Sequence, residues 1–198
     1  MDAKQIDTPK YFGGTKFKGG GMSEFVRDEV AKADADGKAE IDKIVKALSA
    51  EAKLKSQSGI DQSDAAVIAE GRKLISESDD FECTQCHKLD GAGKTKGPDL
   101  TGYGSREWMI EFVKNPSHKR FYGERNDRMP LFGEKQLLTD QQIGMVVDWL
   151  RGEWYTPGGS APATVANISA PAATQSSTPS TTRQSPPTTA ATQPRAGG

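Results

Sequence analysis

Apolar residues recur at helical intervals in several places along this chain. Ile41, Ile44, Val45 and Leu48 form one stripe, and Ile143, Val146, Val147 and Leu150 reproduce its spacing. Val67, Gly71 and Leu74, flanked by Ile68 and Ile75, predict a helix between them. "SREWMIEFVKNP" predicts a shorter helix, opened by Ser105 and stopped before Pro116. The last helix opens on Thr139 and Gln142, spaced as a capping box. "GKTKGPDLTGYGS" and "NPSHKRFYGERNDRMPLFG" are rich in Gly and polar residues and read as loops. Strand-type alternation is hard to find, so the expected fold class is all-α.

The two matching stripes belong to an internal repeat. "PKYFGGTKFKGGGMSEF" is similar to "HKRFYGERNDRMPLF": each has aromatic residues with Gly, a polar loop, then Met-x-x-Phe, as Met22 with Phe25 and Met129 with Phe132. Only the second half of the unit is duplicated. Three regions follow: a partial half-repeat at 1–55, expected to pack as two helices; a helical domain at 62–155; and a tail at 156–198. The tail is Pro, Ala, Ser, Thr, Gln and Gly with almost no charge. Such a segment buries too little apolar surface to offset its ordering entropy and is expected to be disordered.

Charge and length exclude some functions. A net charge of −1 over 198 residues argues against a nucleic-acid partner. No apolar run approaches the length of a membrane span. The opening MDAKQIDTPK has no apolar stretch and reads as no signal peptide.

The chain has two cysteines and two histidines, and three of the four lie in "CTQCH" as Cys83, Cys86 and His87. Cys-x-x-Cys-His is the attachment signature of c-type haem. Two thiols three residues apart, on a turn expected to enter a helix, can each add to one vinyl group of a porphyrin. The next residue, His87, is then held as the proximal iron ligand. A thioredoxin-like pair would want a preceding strand and a βαβ surround. Structural zinc wants four soft ligands, and there is no second cysteine pair. A disulfide at this spacing closes a tiny loop and stabilises little.

A sixth iron ligand must come from downstream. Met129, in "NDRMP", lies in a loop restricted by Pro130 and is the expected donor. Met109 and Met145 lie on helices, where core packing is their expected job, and Met22 belongs to the half-repeat. His118 is the competing ligand, in a basic loop that reads as solvated surface.

CTQCH, then GPDL, then the MP loop, then an amphipathic final helix, resembles a class I c-type cytochrome over 62–155. The resemblance implies the class I cytochrome c fold, one covalent haem c, and His/Met ligation by His87 and Met129. It implies that the Pro98 carbonyl meets the other ring nitrogen of His87 and that Leu100 packs on the haem face. It also implies that the first and last helices cross, Gly71 meeting Trp149 or Leu150. "GPDLTGYGSREWMIEFVKNPSHKRFYGERNDRMPLF" is further similar to the tandem c-type domains of bacterial quinol:cytochrome c oxidoreductases. Against those, the half-repeat lacks an attachment motif. Because covalent haem is added outside the cytoplasm, an extracytoplasmic, periplasmic-side location is expected, with a start upstream or a longer parent chain.

The function implied is electron transfer in a respiratory chain, without enzymatic activity. Lys88, Lys94 and Lys96, then Lys114, Lys119, Arg120, Arg125 and Arg128, suit an acidic redox partner. Subunits of a membrane respiratory complex are further candidate partners. One alternative is a haem enzyme or gas sensor with a displaceable sixth ligand. Another is an assembly subunit that docks through its half-repeat and tail.

Overall fold

Local signals set most of the helix boundaries. The computed structural model describes residues 2–154, and the tail expected at 156–198 lies outside them. Helix α1 is Gly21–Asp28. Helix α2, Ala35–Ala50, is capped by Asp34, whose carboxylate accepts from the Gly37 N–H. A short α3, Ser58–Ser63, leads into α4, Ala65–Glu77. Helix α5, Arg106–Lys114, starts where the Ser105 hydroxyl accepts from the Trp108 N–H, and it stops before Pro116. Helix α6, Asp140–Leu150, carries the full Thr139–Gln142 capping box. Strands β1, Lys88–Leu89, and β2, Ala92–Gly93, pair antiparallel with Leu89 opposite Ala92. Asp90 and Gly91 turn this hairpin with φ of 51° and 83°, the left-handed pair that a two-residue hairpin turn requires. Among the described residues the fold is all-α apart from those four.

Two apolar clusters form around these elements. The first is Ile44, Ala47, Ile75, Phe81 and Leu89, with Leu74, Cys83 and Leu100 against it. The second is Val113, Ile143 and Val147, with Met109, Ile110, Met129, Phe132 and Leu138 around them.

The helix crossing differs from the expectation. Gly71 of α4 faces α2, not α6: a Cβ built there would lie 2.0 Å from Lys43 O and 3.1 Å from the Ala47 Cβ. Trp149 and Leu150, the expected partners, are 64% and 54% exposed. The repeat supplies the reason. In α2 the buried edge of the stripe is Ile44 at 5% exposure, while Val45 is 50% exposed. In α6 the positions are reversed: Val147, the counterpart of Val45, is fully buried, and Val146, the counterpart of Ile44, is 40% exposed. One stripe has two usable edges. Helix α2 turns one of them to α4, and α6 turns the other to α5. Two helices with the same pattern divide the work, and Val146, Trp149 and Leu150 are left facing out.

Two buried charged side chains tie the half-repeat to the rest. Glu51, just past α2, pairs with Arg72 of α4 and accepts from the Gly102 N–H at 2.8 Å. Arg151, just past α6, has a side chain only 4% exposed. It donates to Ala52 O at 2.8 Å, to Lys53 O at 3.3 Å and to Gly104 O. The carbonyls of the turn that follows α2 thus find a guanidinium as their donor. Residues 2–154 accordingly fall within one compact unit.

Candidate functional site

The CTQCH motif begins in a single 3₁₀ turn, Cys83–Gln85. The Cys83 carbonyl accepts from both the Cys86 N–H, at 3.1 Å, and the His87 N–H, at 2.9 Å. That turn leads into the β1–β2 hairpin, where a helix was expected, because the left-handed Asp90–Gly91 pair reverses the chain. The returning strand and loop then fasten onto the motif. The Lys94 N–H donates to Thr84 O at 3.0 Å, the Gly97 N–H to Cys86 O at 2.8 Å, and the Leu100 N–H to Lys88 O at 2.8 Å.

Fastening this loop sets the histidine. His87 Nδ1 lies 2.7 Å from Pro98 O. A carbonyl can only accept, so Nδ1 carries the proton and Nε2 keeps the lone pair that a metal needs. Gly97 lies flat against the imidazole. A Cβ there would sit 2.4 Å from Cε1 and 2.7 Å from Nδ1, so no larger residue fits without moving the ring. The Pro98 side is itself backed by Trp108, whose indole N–H donates to Asp99 O at 3.0 Å. Phe112 stacks on Trp108 at 5.3 Å and Phe121 meets it edge-on at 5.0 Å. Sequence reasoning missed this aromatic buttress. Its available signal was a tryptophan on the inner side of a short helix, which needs a partner for its N–H when buried.

Both thiols are free: Cys83 half-buried, Cys86 exposed. Burial pushes the Cys83 thiol up from its ordinary value, and its Sγ lies 3.3 Å from Phe81 O. Leu100 packs on the first cluster beside Cys83. Met129 is half-buried against the second cluster. The Asn126 side chain brackets its backbone, donating to Met129 O at 2.7 Å and accepting from the Met129 N–H at 3.2 Å. The competing histidine is elsewhere engaged: His118 is exposed, and its Nδ1 accepts from the Arg120 N–H at 3.3 Å. Among the described residues no group of three or more His, Cys, Asp or Glu side chains could hold a metal ion. The donors the chain does offer are a lone imidazole with a preset tautomer, two neighbouring thiols and a thioether.

Residues 68–154 match the family model for cytochrome c. This segment is a cytochrome c domain. The search of curated proteins and the search of solved structures each returned no match. The cytochrome c domain implies covalently bound haem c with its iron, and an electron-transfer role. The site chemistry fits that group, since the tautomer held by Pro98 leaves Nε2 of His87 able to ligate iron. Residues 2–67, with α1 to α3, lie outside the match. No helix among the described residues is long and apolar enough to cross a membrane.

The basic residues around this domain sort into paired and unpaired. Arg120 pairs with Glu111 at 2.5 Å, and Lys114 with Asp140 at 2.8 Å. Lys88, Lys119 and Arg125 have no ion pair among the described residues, and with Arg120 they line one open cleft beside Gly97. Lys88 thus meets the distant basic stretch 119–125 next to the loop that holds His87, and the cleft stays net positive although Asp99 and Glu124 also line it.

Proposed function

We propose that this chain is a single-haem electron carrier in which Cys83 and Cys86 would form the thioether links and His87 and Met129 would hold the iron. The observation that carries the reading is the 2.7 Å contact between His87 Nδ1 and Pro98 O. It presets the ring nitrogen a metal would use, in a loop bonded at Cys86 O and Lys88 O to the same turn that carries the thiols. When bound, the haem supplies a one-electron iron couple.

The chain's own residues do the rest. Pro98 holds the imidazole orientation and raises its basicity, which favours the oxidised metal. Gly97 lets the loop lie close enough for that bond. Asn126 fixes the backbone from which the Met129 thioether projects, and a thioether ligand raises the potential. With His87 and Met129 both holding the iron, no substrate would need to approach it. Lys88, Lys119 and Arg125, clustered at the cleft beside Gly97, supply a positive field for an acidic redox partner. Haem attachment by this route takes place outside the cytoplasm, so we place the chain on the periplasmic side, serving a respiratory chain or a quinol:cytochrome c oxidoreductase.

The test starts with full-length protein matured together with a haem-attachment system. After denaturation and removal of free haem, the alkaline pyridine spectrum should report one haem per chain. That haem should be lost in the Cys83→Ser, Cys86→Ser double variant. No retained haem, with maturation controls working, sinks the reading. Carbon monoxide should bind the reduced parent poorly and the reduced Met129→Ala variant readily. Ready binding to the parent would instead favour a sensor or an enzyme.

A further inference from the structure

The half-repeat does more than lend α2 to α4. Its first part, residues 12–18, lies across the loop that carries Met129. The Lys16 N–H donates to Asp127 Oδ2 at 3.0 Å, a bond spanning 111 positions in sequence. The Thr15 hydroxyl shapes the segment for this contact, donating to Phe12 O at 2.8 Å and accepting from the Phe17 N–H at 3.1 Å. Phe17 then meets Tyr122 at 5.5 Å between ring centroids, and Phe12 flanks Phe17 at 6.5 Å. Arg128 reaches back toward the same segment, where a Cβ on Gly14 would lie 3.3 Å from its guanidinium.

The segment therefore grips Tyr122, Asp127 and Arg128, all on the stretch that leads into Met129. Asn126, next to Asp127, bonds both backbone groups of Met129 and also donates to Ser117 Oγ at 3.0 Å. A contiguous path results: Lys16, Asp127, Asn126, Met129. In the internal repeat residues 12–18 match the corresponding part of this same loop, so one copy of the motif is laid over the other.

We propose that residues 12–18 act as a strap on the Met129 loop, with Asp127 and Asn126 as positioning residues that hold Met129 in place. This rests on Met129 being the sixth ligand. A loop held only at its ends opens locally at low cost, whereas one pinned in its middle opens less often. The strap thus sets how often the thioether leaves its position. That governs the sixth site's access to small molecules and the sharpness of the potential.

The experiment uses full-length, haem-loaded protein: the parent, the single variants Lys16→Pro, Asp127→Ala, Asp127→Asn and Met129→Ala, and Lys16→Pro and Asp127→Ala each combined with Met129→Ala. Lys16→Pro removes the donated N–H, and Asp127→Ala removes its acceptor. Three readouts are taken: carbon monoxide association with the reduced protein, the long-wavelength sulfur-to-iron absorption of the oxidised protein, and hydrogen exchange at the Met129 amide. Each strap variant should speed carbon monoxide association about five-fold, the scale of one ordinary, solvent-exposed hydrogen bond. Each should weaken the sulfur absorption and accelerate exchange at Met129. Asp127→Asn, which keeps an acceptor oxygen, should restore most of the parent behaviour. Combined with Met129→Ala, neither strap variant should add anything. If Met129→Ala opens the site while both strap variants match the parent, the strap is overturned and the ligand assignment survives. If Met129→Ala itself changes neither binding nor absorption, the ligand assignment fails and the strap falls with it.

Discussion

Replacing Gly71 with Ala tests the helix crossing, because helix propensity and packing oppose each other there. Alanine in a helix interior gains about 0.8–1 kcal/mol over glycine. Against that, the new Cβ would stand 2.0 Å from Lys43 O and 2.5 Å from Lys43 C. The obstacle is backbone, so no side-chain rotation relieves it. Reaching even the tightest real contact, 3.0 Å, requires α2 and α4 to separate by about 1 Å. A gap of that size forfeits about a quarter to a half of the attraction between facing atoms. It falls where Ile44, Ala47 and Ile75, each at most 5% exposed, meet. Overpacking of this kind costs about 1–3 kcal/mol, and a backbone obstacle places it near the top of that range. The net expectation is a loss of about 2 kcal/mol, since the cost exceeds the propensity gain.

Urea unfolding followed by far-ultraviolet circular dichroism measures this. Gly59→Ala is the control, because nothing lies within 4 Å of a Cβ at that position of α3. It should leave stability unchanged or slightly raised. Trp149→Ala and Leu150→Ala identify which helix covers α4; both side chains are more than half exposed, so each should shift stability by less than about 0.5 kcal/mol. Gly71→Ala at or above parent stability would refute α2–α4 packing. A loss of about 2 kcal/mol or more in the Trp149 or Leu150 variant would show α6 on α4 instead, since only a buried apolar side chain costs that much.

Two further predictions concern a tie between the half-repeat and the cytochrome c domain, and a charged cluster within the half-repeat itself. Arg151→Ala should destabilise the chain by about 2 kcal/mol in the same assay, because it strips a buried charged donor from three partly buried carbonyls. Arg151→Lys should not rescue it, as one ammonium cannot span Ala52 O, Lys53 O and Gly104 O. Asp7 accepts from the Gly19 N–H at 2.9 Å and the Ser23 hydroxyl at 2.8 Å and pairs with Arg27. The Gly19 bond foremost, then Ser23 and Arg27, hold its carboxyl below the ordinary carboxylate range. A depressed folded value contributes stability that is fully present above the unfolded value and lost as pH falls through the folded one. The melting-temperature difference between the parent and Asp7→Asn should therefore be constant near neutrality and shrink as pH falls below the usual aspartate value. A difference that grew on acidification would contradict this.

What the sequence determined by itself is what short-range chemistry decides. CTQCH places two thiols and an imidazole within one turn whatever surrounds them. The Asp34, Ser105 and Thr139 caps work through neighbours no more than three residues away. The Pro98 contact with His87 was legible through the resemblance of GPDL to the family, whereas the close approach of Gly97 to the imidazole appears only in the packed structure. The helix crossing was not legible. Ile41–Leu48 and Ile143–Leu150 carry the same stripe, so periodicity ranks them equally for the place opposite Gly71. Only the packed chain, with Arg151 and Arg72 anchoring the end of α2, shows that α2 takes it. The strap was hidden for a related reason. A backbone N–H at Lys16 meeting a carboxylate 111 positions away leaves no pattern in either segment. Spacing rules reach as far as one helix or one turn. Which of two similar faces is buried depends on the free energy of the whole packed unit, and that exists only once the chain has folded.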